Sequence, residues 1–372
     1  MKSKILVTRP SLPDLSKLVP ALESIWESGQ LTNQGPLHEQ LEEKLATYLK
    51  VPYLALFNNG TIALMAALKA LNLSGEVITT PFTFAATAHA IVWCGLTPVF
   101  VDIEQGTANI SPSEIRAALS HRTSAIVPVH CYGVPCAHAE IEAIAREQQL
   151  KVVYDSAHAF GVENNNGSIL KLGDLSVLSF HATKVFSTVE GGAIVCHSKD
   201  MKDRLARIRN FGIASEEDVS EIGLNGKLNE IASAMGLAQL EHIDGWLNKR
   251  RELASQYAKE LGHTSGIKRL PRNNILTDNH AYYPILIDRH MADRDSIYAK
   301  LKQENIYARR YFYPLLTDTT AYKNAEIRSV SGLANAKRLA ETVLCLPIHP
   351  GLSPSDIHRI CSVLKRTLLE PR

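Results

Sequence analysis

Nowhere in this chain of 372 residues do about 18 apolar residues run together, so the sequence holds no candidate helix for crossing a bilayer. Only Ile5, Leu6 and Val7 form an apolar stretch before Thr8 and Arg9, far too short for the core of a signal peptide. A soluble, cytoplasmic protein is the expectation, with no membrane partner. An excess of one charge is lacking too. Lys plus Arg number 40 against 38 Asp plus Glu, a net charge of +2, and no basic run advertises a nucleic acid. Any anionic ligand must therefore be met locally. Cysteine is sparse: the six, at positions 94, 131, 136, 196, 345 and 361, include no CxxC pair and none of the dense spacing of a disulfide scaffold, so reduced thiols are expected. His130, Cys131, Cys136 and His138 fall close together. Structural zinc sites use tighter pairs, and the stretch reads as a strand end followed by a loop, with no metal. Neither GxGxxG nor GxxxxGK(S/T) occurs, which argues against dinucleotide and Walker-type nucleotide binding.

What is present is an ordinary globular composition, 45% hydrophobic and 21% charged, with chain enough for about two domains. Short β-branched runs alternate with helical patterns through the first part of the sequence, the mark of a largely parallel α/β sheet. Strands are expected at residues 53–57, 76–80, 98–101, 125–129, 151–154, 175–180 and 193–196. The best-signposted helix starts at Pro112, with Ser111 as cap and Glu114 completing a capping box. After Gly236 the pattern becomes one long polar-apolar helix over residues 238–261, which reads as an interdomain connector. A strand at 282–287, a helix at 294–303 and a closing helix at 357–369 then make a smaller α+β domain. The expected division is a large α/β domain over residues 1–240, including an N-terminal arm over 1–36, and a small domain over 241–372. No repeat or low-complexity linker separates them, so the two should pack together.

The stretch from Ser179 to Cys196, SFHATKVFSTVEGGAIVC, places Lys184 in a loop between two apolar strands. An amine attacks an aldehyde only when neutral, and a lysine in apolar surroundings sheds its proton most readily. A solvated loop lysine is the ordinary alternative. Asp155 ends the run VVYD, at the carboxyl end of a strand, where open α/β sheets hold their ligands. A carboxylate there can keep the pyridine nitrogen of pyridoxal phosphate protonated, which makes the ring an electron sink; a helix cap is its other reading. His158, three residues on, can bond or stack near such a ring, or be a satisfied core histidine. Asn58, Asn59, Gly60 and Thr61 link a strand to a helical run, and backbone N–H groups at a helix start bind phosphate without a basic cluster. The same residues suit a plain turn. Phe84, in PFTFAATAHAIVWCG, can lie over a pyridine face or simply fill core.

Taken in order, LTNQGP, NNGTIAL, PFTFAAT, VVYDSAHAFG, SFHATK, EGGAIV, GLNGKLNEIASAMGLAQL and RRYFYPL resemble the DegT/DnrJ/EryC1/StrS family of nucleotide-sugar aminotransferases over nearly the whole chain. The resemblance implies the aspartate aminotransferase-like fold (fold-type I), with a large mixed, mostly parallel sheet domain and a smaller C-terminal α+β domain. It implies pyridoxal 5'-phosphate as cofactor, carried by Lys184, which also moves the proton. Asp155 would partner the pyridine nitrogen, Phe84 the ring face, and His158 the region of the ring hydroxyl. Gly60, Thr61 and Ser179 would hold the phosphate, joined by Asn225 from the neighbouring subunit of a homodimer with shared sites. Where the family commonly has Asn-Tyr-Arg, this chain has Asn225, Gly226 and Lys227, so the bulk and forked donor of that loop are missing. The family's dehydratase branch carries histidine where Lys184 stands, so the lysine points to amino transfer. A non-catalytic cofactor-binding regulator is the reading from another class. The implied substrates are L-glutamate and a nucleotide-linked keto sugar, most like a dTDP-linked 4-keto-6-deoxyhexose, with a 3-keto sugar as the alternative and bacterial surface-glycan or deoxysugar biosynthesis as the setting. Arg309, Arg310, Tyr311 and Tyr313 are candidate sugar-nucleotide contacts, since guanidinium groups suit diphosphate oxygens and tyrosines suit hydroxyls and rings; a solvated edge is the other reading of the two arginines.

Overall fold

A computed structural model describes residues 3–324, 327–329 and 332–369. Its centre is an eight-stranded sheet in the order Arg328–Ser329, Thr97–Phe100, Glu76–Thr79, Thr123–Ile126, Lys151–Asp155, Leu175–Ser179, Gly192–Cys196, Tyr53–Phe57. Every neighbouring pair is parallel except at Gly192–Cys196, which runs antiparallel to both Leu175–Ser179 and Tyr53–Phe57. Phe57, Thr79, Asp155 and Ser179 thus finish at one edge of the sheet, where Gly192 begins. Apart from the edge pair Arg328–Ser329, the strands are largely buried on both faces, as their near-continuous apolar runs require. One face packs on the helices Gly60–Ala70 and Lys199–Ile208, the other on apolar residues from Leu41, Leu45, Phe160, Phe180 and Phe186. This is the expected α/β sheet, with the strand limits shifted by a residue or more at several ends.

A second core is built from the three-stranded antiparallel sheet Ile267–Arg269, Tyr283–Ile287 and Val343–Leu346 together with the helices Ile243–Leu261, Arg294–Gln303 and Pro354–Leu369. Chain segments cross between the two bodies. Ile5–Leu6 pairs in parallel with Ile306–Tyr307, and Arg328–Ser329 supplies the far edge of the large sheet.

Two sequence expectations need correction. The single helix over 238–261 is two helices, Glu230–Leu240 and Ile243–Leu261. The first is apolar nearly all round, is capped by the Asn229 side chain at Ala232 N (2.8 Å), and is wedged against helix Pro36–Tyr48 so tightly that a Cβ on Gly236 would come within 2.7 Å of Leu41. The second is amphipathic and packs on Pro354–Leu369, so the chain must turn at Glu241 and His242 to serve both partners. At Pro112–Ala118 the Ser111 hydroxyl accepts from Glu114 N at 3.4 Å, but Ser111 N already donates to the Asp102 carbonyl at 3.1 Å. The return half of the capping box therefore has no donor to meet.

His130, Cys131 and Cys136 are held by hydrogen bonds and packing within the protein. His130 Nδ1 accepts from Cys136 N at 3.1 Å, its ring stacks on Tyr154 at 4.5 Å, and Asn109 Oδ1 accepts from Cys131 N. Among the described residues no cluster of three or more His, Cys, Asp or Glu is arranged to hold a metal ion, and no helix is long and apolar enough to cross a membrane.

Candidate active site

A cleft of about 710 Å³ opens at the carboxyl edge of the large sheet. Its wall brings together Gly60, Thr61, Phe84, Asp155, His158, Ser179, Lys184 and Tyr311, eight of the residues singled out from sequence.

Lys184 follows the strand Leu175–Ser179, and its position is set by what flanks it. Its amide donates to the His181 carbonyl at 2.8 Å, closing a turn, and Thr188 N reaches back to the Phe180 carbonyl at 3.0 Å. Between these bonds Val185 and Phe186 are buried, with Phe186 stacked on Phe160 at 4.8 Å and edge-on to Phe180 at 4.9 Å. The side chain of Lys184 is thereby left in the cleft, only partly exposed. Desolvation pulls its pKa down from 10.5 to about 8, partly opposed by the charge of Asp155.

Asp155 ends its strand as a residue only 6% exposed. Oδ2 accepts from the Thr87 hydroxyl at 2.7 Å and Oδ1 from Ala157 N at 3.1 Å. Burial raises its pKa, against the hydrogen bonds of Thr87 and Ala157 and the charge of Lys184. Each oxygen keeps a lone pair for a further donor. His158 is buried, and its Nδ1 accepts from Tyr132 N at 3.1 Å, so the proton of the neutral ring is assigned to Nε2. Burial, with Lys184 nearby, holds its pKa well below 6.5. Tyr282 and Phe312 pack on its ring at 4.6 and 6.1 Å.

The strand Tyr53–Phe57 runs into the helix Gly60–Ala70, whose cap Asn59 accepts from Ile62 N at 2.9 Å. At this first turn the N–H groups of Gly60 and Thr61 have no intrahelical acceptor. A Cβ on Gly60 would lie 2.9 Å from Ser179 Cβ, so glycine is what lets the helix start and the end of the neighbouring strand close into one cradle. On the other side, Phe84 caps the helix Ala85–Trp93 and lines the cleft as a residue 63% exposed. An uncovered aromatic face, a bare helix start and a buried carboxylate facing an amine form a donor set that fits pyridoxal phosphate.

Other sequence candidates lie elsewhere in this chain. Asn225 is exposed, outside the cleft, where its Oδ1 accepts from Lys227 Nζ at 3.0 Å. Arg309 forms an isolated bridge with Cys345 and is not among the lining residues. Arg310 pairs with Asp295 at 3.0 Å and lies 5.1 Å from the ring of Tyr313, which Arg294 approaches from 4.9 Å. Tyr313 faces a separate hollow beside helix Arg294–Gln303. Of the four candidates in that run Tyr311 lines the cleft, beside Phe312, and it is anchored where the Tyr132 hydroxyl donates to its carbonyl.

Sequence reading missed Thr83, Thr87, Tyr282, Phe312, His181 and Glu190. Thr83 and Thr87 carried one usable signal, two hydroxyls spaced four apart at the start of a helix beside Phe84. Val7 and Thr8 had none: they line a small cavity behind Lys184, where the Thr8 hydroxyl donates to the Thr183 carbonyl at 3.4 Å across 175 residues of sequence.

Residues 15–365 match the DegT/DnrJ/EryC1/StrS aminotransferase family. The chain is 50% identical over 366 residues, 98% of its length and 99% of the relative's, to dTDP-4-amino-4,6-dideoxy-D-glucose transaminase of Shigella dysenteriae. It is 47% identical to the Escherichia coli protein of the same name, covering 97% of this chain and 98% of that one. Among solved structures it superposes on DesI, studied in the presence of its TDP-sugar product, with a TM-score of 0.94 at 34% identity, covering 99% of this chain and 94% of that one.

Proposed function

The chain belongs to the DegT/DnrJ/EryC1/StrS aminotransferase family, and from that premise we propose that it moves the amino group of L-glutamate onto a dTDP-linked 4-keto-6-deoxyhexose, giving dTDP-4-amino-4,6-dideoxyglucose. The observation that carries this reading is the pairing, in one cleft, of a desolvated lysine with a buried aspartate and an exposed aromatic face. When bound, pyridoxal phosphate would supply an aldehyde for Lys184 and an electron sink for the carbon that loses its proton.

The residues have distinct tasks in this proposal. Gly60 and Thr61 N–H groups with Ser179 receive the phosphate at the helix start. Asp155 accepts the ring N–H, Phe84 covers one ring face, and His158 offers Nε2–H toward the ring's polar edge. Lys184, with its pKa near 8, passes readily between amine and ammonium and so can take and return the proton of the substrate carbon. The Asn225 loop, exposed on this chain, and Arg309, Arg310 and Tyr313 are assigned to contacts made in a homodimer and with the sugar nucleotide. The names of the close relatives support the dTDP-linked 4-keto sugar. A 32% identical relative from Acidithiobacillus ferrooxidans is named a UDP-N-acetyl-3-dehydro-alpha-D-glucosamine 3-aminotransferase, which makes the 3-keto sugar the reading to test against. A division at residue 240, a cytoplasmic setting and a role in surface-glycan biosynthesis belong to the same proposal.

The test is purified enzyme with glutamate and a panel of dTDP-, UDP- and GDP-linked 3-keto and 4-keto sugars, with products read by mass spectrometry and NMR. Amination at C4 of the dTDP sugar is expected. Amination at C3 only, or no amination, would overturn it.

A further inference from the structure

Two buried hydroxyls stand behind the carboxylate that faces the cleft. Thr83 and Thr87 are 3% and 1% exposed, with their Oγ1 atoms 2.8 Å apart, and Thr87 Oγ1 lies 2.7 Å from Asp155 Oδ2. A carboxylate can only accept, so the Thr87 hydrogen goes to Asp155, and Thr87 must in turn accept from Thr83. The chain of bonds therefore has one direction, and each bond polarises the next.

We propose that Thr83 and Thr87 are positioning residues, a hydroxyl relay that holds Asp155 ionised and aimed into the cleft so that it can accept the N–H of a protonated ring nitrogen. The role rests on the reading that the cleft takes pyridoxal phosphate. Few other groups can do this work. Ala157 N serves the other oxygen; Lys184 faces Asp155 from the neighbouring loop, His158 is a neutral ring on Asp155's own segment, and Cys131 is a buried thiol on the adjoining turn. Of the influences favouring the charged form of Asp155, the Thr87 hydrogen bond is the largest, ahead of Ala157 and Lys184. The geometry is rigid because both threonines sit on the segment whose cap is Phe84, with Thr87 N bonded to the Phe84 carbonyl at 3.2 Å. One short helix start thus carries the ring-stacking face and the support of the acid that meets the ring's nitrogen.

The relay is tested with Thr87→Val, which keeps the shape and removes the hydroxyl, Thr87→Ser, which restores it, and Thr83→Val. In the apoenzyme, the Asp155 carboxyl is followed by ¹³C-edited infrared difference spectra against Asp155→Asn. Thr87→Val should favour protonation of Asp155 roughly tenfold, with Thr83→Val giving a smaller change in the same direction and Thr87→Ser behaving as wild type. In the loaded enzyme, Thr87→Val should weaken binding of pyridoxal phosphate by a similar roughly tenfold factor, yet leave the affinity for an analogue with C–H in place of the ring nitrogen unchanged. Unchanged Asp155 titration in Thr87→Val overturns the relay, as does equal loss of affinity for both cofactors. The infrared readout needs no cofactor, so failure of wild-type enzyme to take up pyridoxal phosphate would count against the functional reading alone.

Discussion

Replacing Lys184 by methionine should stabilise the cofactor-free protein at neutral pH. The amine sits in the cleft with its pKa lowered by burial from 10.5 to about 8, with Asp155 pulling weakly the other way. Between those two pH values the unfolded chain holds a proton that the folded chain has released. Stability therefore rises with pH from about 8 to 10.5, and the penalty is fully present below about 8. Lowering the pKa by that amount corresponds to about 3 kcal/mol. Because part of the residue reaches solvent, a net gain on the order of 1–3 kcal/mol is expected for a methionine of similar length at pH 7. The gain should vanish by about pH 10.5, where wild type also buries a neutral amine. Urea unfolding of both proteins, stripped of cofactor, at several pH values between 7 and 10.5 gives the comparison directly. Equal stabilities at pH 7, or a difference that does not shrink as pH rises, would refute the claim that Lys184 is held partly neutral by its surroundings. The same tendency to lose the proton near pH 8 would suit this lysine to the covalent and proton-transfer role proposed for it.

Lys184→Ala should abolish turnover while leaving the circular dichroism spectrum unchanged, and borohydride treatment with labelled hydride should mark wild type at Lys184 but not the variant. Phe84→Ala removes a residue that is 63% exposed, so stability should hold while pyridoxal phosphate affinity falls by roughly 1 kcal/mol, about fivefold, in a fluorescence titration. Gly60→Ala puts a methyl 2.9 Å from Ser179 Cβ, so it should cost about 1–3 kcal/mol in thermal unfolding and weaken cofactor binding as well. Glu42 offers a pH test away from the site. Burial opposes its charge, yet the hydrogen bond of His38 and the charges of Arg209 and Lys202 hold its pKa far below 4.5. Its stabilising contribution is present above about pH 4.5 and is lost as pH falls below that value. Glu42→Gln leaves fully buried Arg209 without its anion and should cost about 3–5 kcal/mol at pH 7, with a flatter acid limb in urea unfolding; an unchanged midpoint would contradict it.

Much of the site was legible in sequence because its parts are local. Asp155, Gly60 and Phe84 each stand at the end of a strand or the start of a helix, Lys184 follows in the loop after one, and in a parallel sheet those ends converge on one edge by topology alone. Residue type and spacing were therefore enough to gather them. Contacts made across the sequence were not legible. Thr87 meets Asp155 from 68 residues away, and Val7 and Thr8 back the lysine from the far end of the chain. Equally, the run from Arg309 to Tyr313 reads as one polar cluster, but the fold sends Tyr311 into the cleft and Tyr313 to another hollow.

The sequence by itself determined the alternation of strands and helices and singled out the amine, the acid and the helix-start turn that meet in the cleft, since hydrophobic period, caps and residue chemistry act over a few residues. Only the tertiary structure decided the break between Leu240 and Ile243, the neutral tautomer of His158, the lowered pKa of Lys184 and the hydroxyls behind Asp155. Each of these depends on desolvation or on a partner distant in sequence, and both arise only when the chain has closed on itself.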